Sequence, residues 1–416
     1  MADLDRLIDS WSATDPVVRV PGRGVKRPAG VARLTRLLSM GGPGSAPSTG
    51  VPAEAPIAMR GRSPQVLPVG TGSLGKGVPA GEPLLKVEGL EVRYGSEASG
   101  VTAVKGASFI IRRGEIIGIA GESGSGKSTL AFAVARLLRG SGHIVGGKVL
   151  WYGSSGAVDL VAATDDSLRK LRWVGISIVL QSAMNAMNPV LSVRSQIEDV
   201  IKAHDPRLSR RGRFDRVGSL LEMVGIPRSR AGAYPHELSG GMRQRAMIAL
   251  ALALEPQLVI LDEPTTALDV VVQRQILDRL NELRRNLGFA VLFITHDLSL
   301  LLELADQILV MYAGAIVERA RSRELYEDPR HPYSVGLLHS FPRARGERVE
   351  LLGIPGSPPN LREMPSGCPF HPRCPRAMYR CTLEVPSLIP RAAVDGGTAR
   401  EVACFLYNEE GAKDAR

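Results

Sequence analysis

The chain has 416 residues, enough for one large domain or two smaller ones with a substantial core. Its apolar content is 44%, and no segment approaches the roughly 18 continuous apolar residues that a bilayer span needs, so any membrane role is exercised from outside the bilayer. The formal charge of +10 fits either a basic, well-solvated surface or contact with an anionic leaflet, and no Lys/Arg cluster with interleaved aromatics points to nucleic acid.

Residues 1–80 are rich in Gly, Pro, Ser and Ala, with ten Lys/Arg against five Asp/Glu and no sustained periodicity. They are expected to form a mostly disordered extension, with a short amphipathic helix over 31–38. The extension is read either as a membrane-touching arm or as a tail without a role. Asp3, Asp5 and Asp9 and the lack of an apolar h-region argue against a secretory signal. From Leu84 the pattern changes. Leu84–Arg93 and Val101–Arg112 alternate like antiparallel strands. Ile116–Ala120 is an apolar strand, Lys127–Arg139 a helix and Val174–Leu180 a buried strand. Ser192–His204, Arg213–Val224 and Met242–Leu254 are expected helices, followed by the strand Leu258–Leu261. The helix Val270–Leu287 and the strand Ala290–Thr295 complete the pattern. Strands alternating with helices predict a parallel sheet with crossovers in a core domain over 81–320. A helical piece and a Pro- and Cys-containing region occupy 321–416.

Gly121-Glu122-Ser123-Gly124-Ser125-Gly126-Lys127-Ser128 fits G-x-x-x-x-G-K-[ST], with a strand before it and a helix after it. The glycines let the backbone curl, so that successive N–H groups from Gly121 through Ser123, Gly124, Ser125 and Gly126 face phosphate oxygens. The helix N-terminus adds partial positive charge. Lys127 is expected to reach the β- and γ-phosphates of ATP, and Ser128 to ligate Mg²⁺. The apolar strand Val259–Leu261 ends in two carboxylates. Strand alternation sends them to different places, Asp262 to the Mg²⁺ shell and Glu263 to the attacking water.

Leu238-Ser239-Gly240-Gly241-Met242-Arg243-Gln244-Arg245 resembles the signature of ABC ATPases, and other motifs of that family accompany it in order. Tyr94 resembles the aromatic residue that stacks on adenine, and Gln181 the Q-loop glutamine. Ala267-Leu268-Asp269 resembles the D-loop, with Thr266 where many members have Ser. His296, after a strand, resembles the switch histidine at the γ-phosphate. The resemblance implies an α/β P-loop NTPase fold of the ABC cassette type: a mixed-sheet core, an antiparallel β subdomain near Leu84–Arg112 and a helical subdomain near Ser192–Tyr234. It implies catalytic roles for Lys127, Gln181, Glu263 and His296. It also implies nucleotide contacts at Tyr94, Thr129, Ser239, Gly240, Gly241, Gln244 and Asp269, and a Mg²⁺ contact for Gln181 beside Ser128 and Asp262. Ser239 and the glycine pair open a helix and can bind phosphate themselves. A head-to-tail pair of subunits, with the cradle of one facing the signature of the other, gives both motifs one shared ATP.

The segments Gln181–Val190, Glu263–Val270, His331-Pro332-Tyr333-Ser334 and Gly367–Pro375 resemble the oligopeptide/dipeptide importer subfamily. That implies ATP hydrolysis coupled to import of di- or oligopeptides, with nickel or another small solute as the alternative. The implied partners are a homologous or identical second ATPase subunit, two membrane permease subunits and an extracytoplasmic solute-binding protein. The implied location is peripheral, on the cytoplasmic face of the cell membrane. A DNA-repair type of ABC ATPase fits poorly, because only about 110 residues, none of them Cys, separate cradle and signature. A translation type would carry two cassettes. Met184, Met187 and Pro189 are read either as a docking groove for a permease helix or as ordinary packing.

All four cysteines, Cys368, Cys374, Cys381 and Cys404, lie in the last fifth of the chain, spaced C-x₅-C-x₆-C-x₂₂-C. Four thiolates suit Zn²⁺ or an iron–sulfur cluster, and free cysteines are the third reading. Zinc modules usually use closer pairs, and disulfides do not suit a cytosolic ATP site. The resembled subfamily carries this pattern, which implies a [4Fe–4S] cluster, with Zn²⁺ as the alternative. The distance in sequence from the cradle predicts that losing a ligand harms stability or assembly before chemistry.

Overall fold

The computed structural model describes residues 81–96, 99–153, 156–180, 186–265, 268–340, 353–391 and 400–407. The expected extension over 1–80, Gln181, Met184, Thr266 and Ala267 lie outside the described residues. Strands β1 (Pro83–Tyr94) and β2 (Val101–Arg112) pair antiparallel, as their alternation predicts. The short strand β3 (Ile116–Ala120) follows, then helix α1 (Lys127–Val134). α1 stops short of the predicted Arg139 because the chain turns at Arg136, which adopts φ +56°. A further pair, β4 (Gly142–Gly153) and β5 (Gly156–Asp159), completes an antiparallel sheet of order β2-β1-β4-β5. α2 (Asp165–Leu171) is capped by the Thr164 side chain and carries acids in its first turn and bases in its last, matching the helix dipole.

The main sheet begins with β6 (Ile176–Val179). Helices α3 (Val193–His204), α4 (Arg210–Met223) and α5 (Gly240–Ala251) precede β7 (Leu258–Asp262). α6 (Val270–Leu287), β8 (Ala290–Ile294), α7 (Leu298–Leu304), β9 (Gln307–Tyr312) and β10 (Ala315–Arg321) follow. β6, β7, β8, β3 and β9 lie side by side and parallel. β3, β7, β8 and β9 are buried at every position, which is why they read as unbroken apolar runs rather than alternating ones. Helix α1 packs against β1, β2 and β4 on one side and against β7 and β8 on the other. The helix that leaves the glycine-rich loop is thus held between the two sheets.

The C-terminal region extends the main sheet. α8 (Ser322–Glu327), α9 (Pro332–His339) and α10 (Tyr379–Leu383) are short. β11 (Ile389–Arg391) and β12 (Arg400–Val402) then add to the edge of β10, giving the order β11-β12-β10-β9-β3-β8-β7-β6. The core therefore continues past Arg319, where the periodicity placed its end. Glu318 on β10 is fully buried and meets the Arg400 guanidinium at 2.8 Å. The backbone N–H groups of Arg330 and His331 also donate to its carboxylate, at 3.0 and 2.9 Å. Removing one partner of such a pair strands a buried charge. Arg400→Ala is therefore expected to destabilise the fold by about 3–5 kcal/mol, read from urea unfolding. A loss below about 1 kcal/mol would mean that Glu318 is satisfied without Arg400.

Candidate active site

The glycine-rich loop leaves the end of β3 and wraps onto α1. Its shape depends on the absence of side chains at two points. A Cβ on Gly121 (φ +149°) would lie 2.3 Å from the Met311 carbonyl oxygen. One on Gly126 (φ +98°) would lie 2.3 Å from that of Ala103. The Lys127 ammonium donates to the carbonyls of Gly121 and Glu122, each at 2.8 Å, and approaches the Ser125 hydroxyl at 3.5 Å. Burial lowers the pKa of Lys127, and the carboxylates of Glu263, Asp262 and Glu122 oppose that shift. A desolvated ammonium inside a ring of backbone dipoles is suited to phosphate oxygens, since Coulomb attraction strengthens as solvent is excluded. Ser123 and Gly124 are exposed at the loop tip, and Thr129 is half-buried one residue beyond Ser128.

β7 delivers the carboxylates. Asp262 is 2% exposed and accepts a hydrogen bond from the Ser128 hydroxyl at 2.9 Å. Burial raises its pKa, with the Ser128 hydrogen bond working against the shift. These adjacent hard oxygens fit Mg²⁺, which takes one or two protein oxygens together with substrate phosphates. Glu263 does not simply alternate out of the strand. It adopts φ +46°, and its N–H donates to the Ile294 carbonyl at 2.8 Å. This left-handed turn, strained for a non-glycine residue, aims the side chain out of the sheet. There the His296 Nδ1 stands 3.5 Å from the Glu263 carboxylate, at the exit of β8. Lys127, Ser128, Asp262, Glu263 and His296 thus gather at one edge of the parallel sheet. This set can bind a nucleoside triphosphate and activate a water against its terminal phosphate.

The other expected contacts belong to separate elements. Ser239 caps α5, accepting from the Met242 N–H at 3.3 Å, and Gly240 and Gly241 form the first turn. Gly241 admits Val272, since a Cβ would lie 2.6 Å from the valine methyl. Gln244 is 3% exposed, and its Nε2 is buried without a partner among the described residues, so it does not share the open face of Ser239. Asp269 caps α6 through the Val272 N–H at 2.9 Å. Tyr94 is half-buried at the tip of the antiparallel sheet, its ring so close to Gly142 that a Cβ there would come within 2.6 Å. Met187 is buried, as the packing reading requires, while Pro189 and Val190 beside it are exposed.

Cys368, Cys374, Cys381 and Cys404 line one small pocket, together with His331 and Phe370. Burial pushes the thiols of Cys368 and Cys374 up, and that of Cys404 up to about 12. Among the described residues, no group of three or more His, Cys, Asp or Glu converges closely enough to hold a metal ion. The thiols share a pocket without meeting at a point, so the ligand set expected for a single zinc ion is not assembled in this arrangement.

Tyr312, Tyr333, Phe370 and Arg373 form a link that the sequence did not reveal. Tyr312, Tyr333 and Phe370 pack with ring centroids 4.6–5.4 Å apart. The Tyr333 hydroxyl accepts from the Glu122 N–H at 2.7 Å, and Arg373 meets the Glu122 carboxylate. The His-Pro-Tyr-Ser and Cys-Pro-Phe-His-Pro-Arg-Cys-Pro segments were the available signals, but neither says what its Tyr or Arg touches.

Comparison with known proteins agrees with this geometry. A family model described as ABC transporter matches residues 104–266, and one described as the oligopeptide/dipeptide transporter C-terminal region matches residues 317–381. The oligopeptide transport ATP-binding protein OppD of Salmonella typhimurium is 44% identical over 329 residues, covering 79% of this chain and 95% of that protein. The protein of the same name from Mycobacterium tuberculosis is 46% identical over 328 residues, 78% of this chain and 52% of that one. The dimeric post-hydrolysis structure of the ATP-binding cassette MJ0796, bound to ADP and Pi, matches with a TM-score of 0.51 and 28% identity, covering 58% of this chain and 99% of that one.

Glu263→Gln is expected to bind ATP as well as the wild type while hydrolysis falls by about 10²–10⁴-fold, the usual worth of a general base. A phosphate-release assay beside a nucleotide-binding titration reads both quantities, and turnover within about threefold of wild type would take Glu263 out of the mechanism.

Proposed function

The chain belongs to the family of ABC transporter ATP-binding subunits, in its oligopeptide/dipeptide branch, and from that premise we propose that it hydrolyses ATP to drive import of di- or oligopeptides through separate membrane permease subunits. The observation that carries this reading is the gathering of Lys127, Ser128, Asp262, Glu263 and His296 on one sheet edge. Lys127 would hold the terminal phosphates, and Ser128 and Asp262, with Gln181, would hold Mg²⁺, which would supply neutralisation of phosphate charge. Glu263 draws a proton from the attacking water, and His296 contacts the γ-phosphate; the products are ADP and phosphate. No helix among the described residues is long and apolar enough to cross a membrane, and the family reading assigns translocation to partner permease subunits.

Two such chains, identical or homologous, close head to tail, so that the cradle of one and the Ser239 helix start of the other share one ATP. Val270 and Val271, next to Asp269, are 81% and 67% exposed, which suits a face covered by a second subunit. Tyr94 stacks on adenine from the sheet tip. An extracytoplasmic binding protein supplies the solute, and the ATPase works on the cytoplasmic face of the membrane. Vesicles carrying the whole complex, loaded with ATP, are expected to take up peptide. Lys127→Ala or Ser239→Arg should each abolish uptake, and co-assembly of the two chains in a homodimer should restore part of it. Uptake of nickel but not of peptide would select the alternative solute, and no restoration by a proven homodimer would remove the composite site.

For the tail we propose a [4Fe–4S] cluster held by Cys368, Cys374, Cys381 and Cys404. Thiols arranged around a shared pocket suit a bulky cluster bound at its corners better than a single zinc ion. Binding would replace four thiol protons and supply folding energy to a segment rich in proline and poor in regular structure. Anaerobically purified protein is expected to be brown with about four irons per chain, and Cys374→Ser to bleach it. Stoichiometric zinc in colourless protein would replace the cluster, and neither metal would leave the cysteines as free thiols.

A further inference from the structure

Glu122, the second residue of the glycine-rich loop, is held at three points. Its carbonyl accepts from Lys127 at 2.8 Å, and its N–H donates to the Tyr333 hydroxyl at 2.7 Å. Its carboxylate takes a two-pronged grip from Arg373, at 2.7 and 2.9 Å. Arg373 lies between Cys368 and Cys374, one residue before the latter. Its side chain is only 6% exposed. The remaining donors of the guanidinium are also used: Nε reaches the Pro355 carbonyl at 2.8 Å, Nη1 the Tyr312 hydroxyl at 3.3 Å and Nη2 the Ile354 carbonyl at 3.5 Å. All five N–H bonds of the fork find acceptors, an arrangement that a lysine cannot reproduce. The turn that presents Arg373 is itself tied down within the cysteine segment. The Arg373 N–H donates to Phe370 at 3.0 Å, the Cys374 N–H to His371 at 3.2 Å and the Cys368 N–H to Cys381 at 2.8 Å.

We propose that Arg373 is a positioning residue of the ATP site, through which the order of the four-cysteine module sets the shape of the phosphate loop and hence its affinity for nucleotide. The inference rests on the ATP-site reading above. Arg373 acts through Glu122, whose carbonyl helps to place the Lys127 ammonium. A loosened cysteine module withdraws the guanidinium, frees Glu122 and lets Lys127 drift from the phosphates. Linkage makes the effect reciprocal, so nucleotide in the cradle tightens the module.

The test uses the full-length chain and a fluorescent ATP analogue. Arg373→Gln and Glu122→Gln should each raise the Kd about 5- to 150-fold, the usual range of such coupling. The double variant should be no worse than the weaker single one, because both remove the same link. The loss in affinity should exceed any loss in kcat at saturating ATP, and Arg373→Lys should recover only part of the affinity. A folded Arg373→Gln protein with wild-type Kd, or singles whose effects simply add, would overturn the proposal even if its melting temperature falls. Should the variant not fold, amide exchange on the wild type decides. Saturating ATP should slow exchange across Cys368–Cys381, and unchanged exchange there overturns the link. Wild-type protein that binds no ATP at all would instead bring down the functional reading beneath it.

Discussion

A methyl group on Gly121 would collide with the Met311 carbonyl, and one on Gly126 with that of Ala103. Met311 belongs to β9 in the main sheet and Ala103 to β2 in the antiparallel sheet, so the phosphate loop is wedged between backbones of both. The backbone hydrogen bonds at the same place run the same way: the Lys105 N–H donates to Gly314 at 2.8 Å, and the Gly314 N–H to Ser125 at 3.0 Å. The loop has no conformation of its own to fall back on. Its curl is what remains when two sheets and the hairpin after β9 leave just enough room for glycine. Any change that shifts one sheet against the other therefore acts on the cradle directly.

The catalytic side chains share an origin as well. Gly121 follows β3, Asp262 ends β7 and His296 follows β8, and in the sheet β3, β8 and β7 are consecutive neighbours. Parallel strands deliver all their exits to the same edge, which is where open α/β sheets place their ligands. At the exit of β7 Glu263 adopts a positive φ, and the hydrogen bond from its N–H to Ile294 holds it there. Pre-set geometry of this kind spares the site a rearrangement at the moment of reaction.

Much of this was legible from local chemistry. The glycine spacing, the apolar run into Asp262 and Glu263, and a histidine after a buried strand each carry their meaning within a few residues. β4 was missed because Gly142, Gly146, Gly147 and Gly153 break the apolar alternation that marks a strand. The turn at Glu263 was misread as simple alternation because a backbone angle leaves no trace in residue type. Gln244 looked like part of the signature face, yet helical geometry turns it inward. The grip of Arg373 on Glu122 spans 251 positions of sequence, beyond any periodicity. It brings the cysteine segment, distant from the cradle in sequence, against the phosphate loop in space.

β12 pairs with β10 across a separation of 82 residues, through Arg319 with Glu401 and Glu318 with Arg400. During synthesis, at about 5–20 residues per second, β10 therefore waits on the order of 4–16 s before its outer neighbour exists. Throughout that interval β10 is a free edge with unpaired backbone groups, and Glu318 is a carboxylate without its counter-charge. The nascent cassette is thus open to strand addition by other chains until the roughly eighty residues after β10 emerge. Early stops or frameshifts in that stretch would yield not a slightly shortened ATPase but a sticky, half-edged one, a natural substrate for chaperones and proteases.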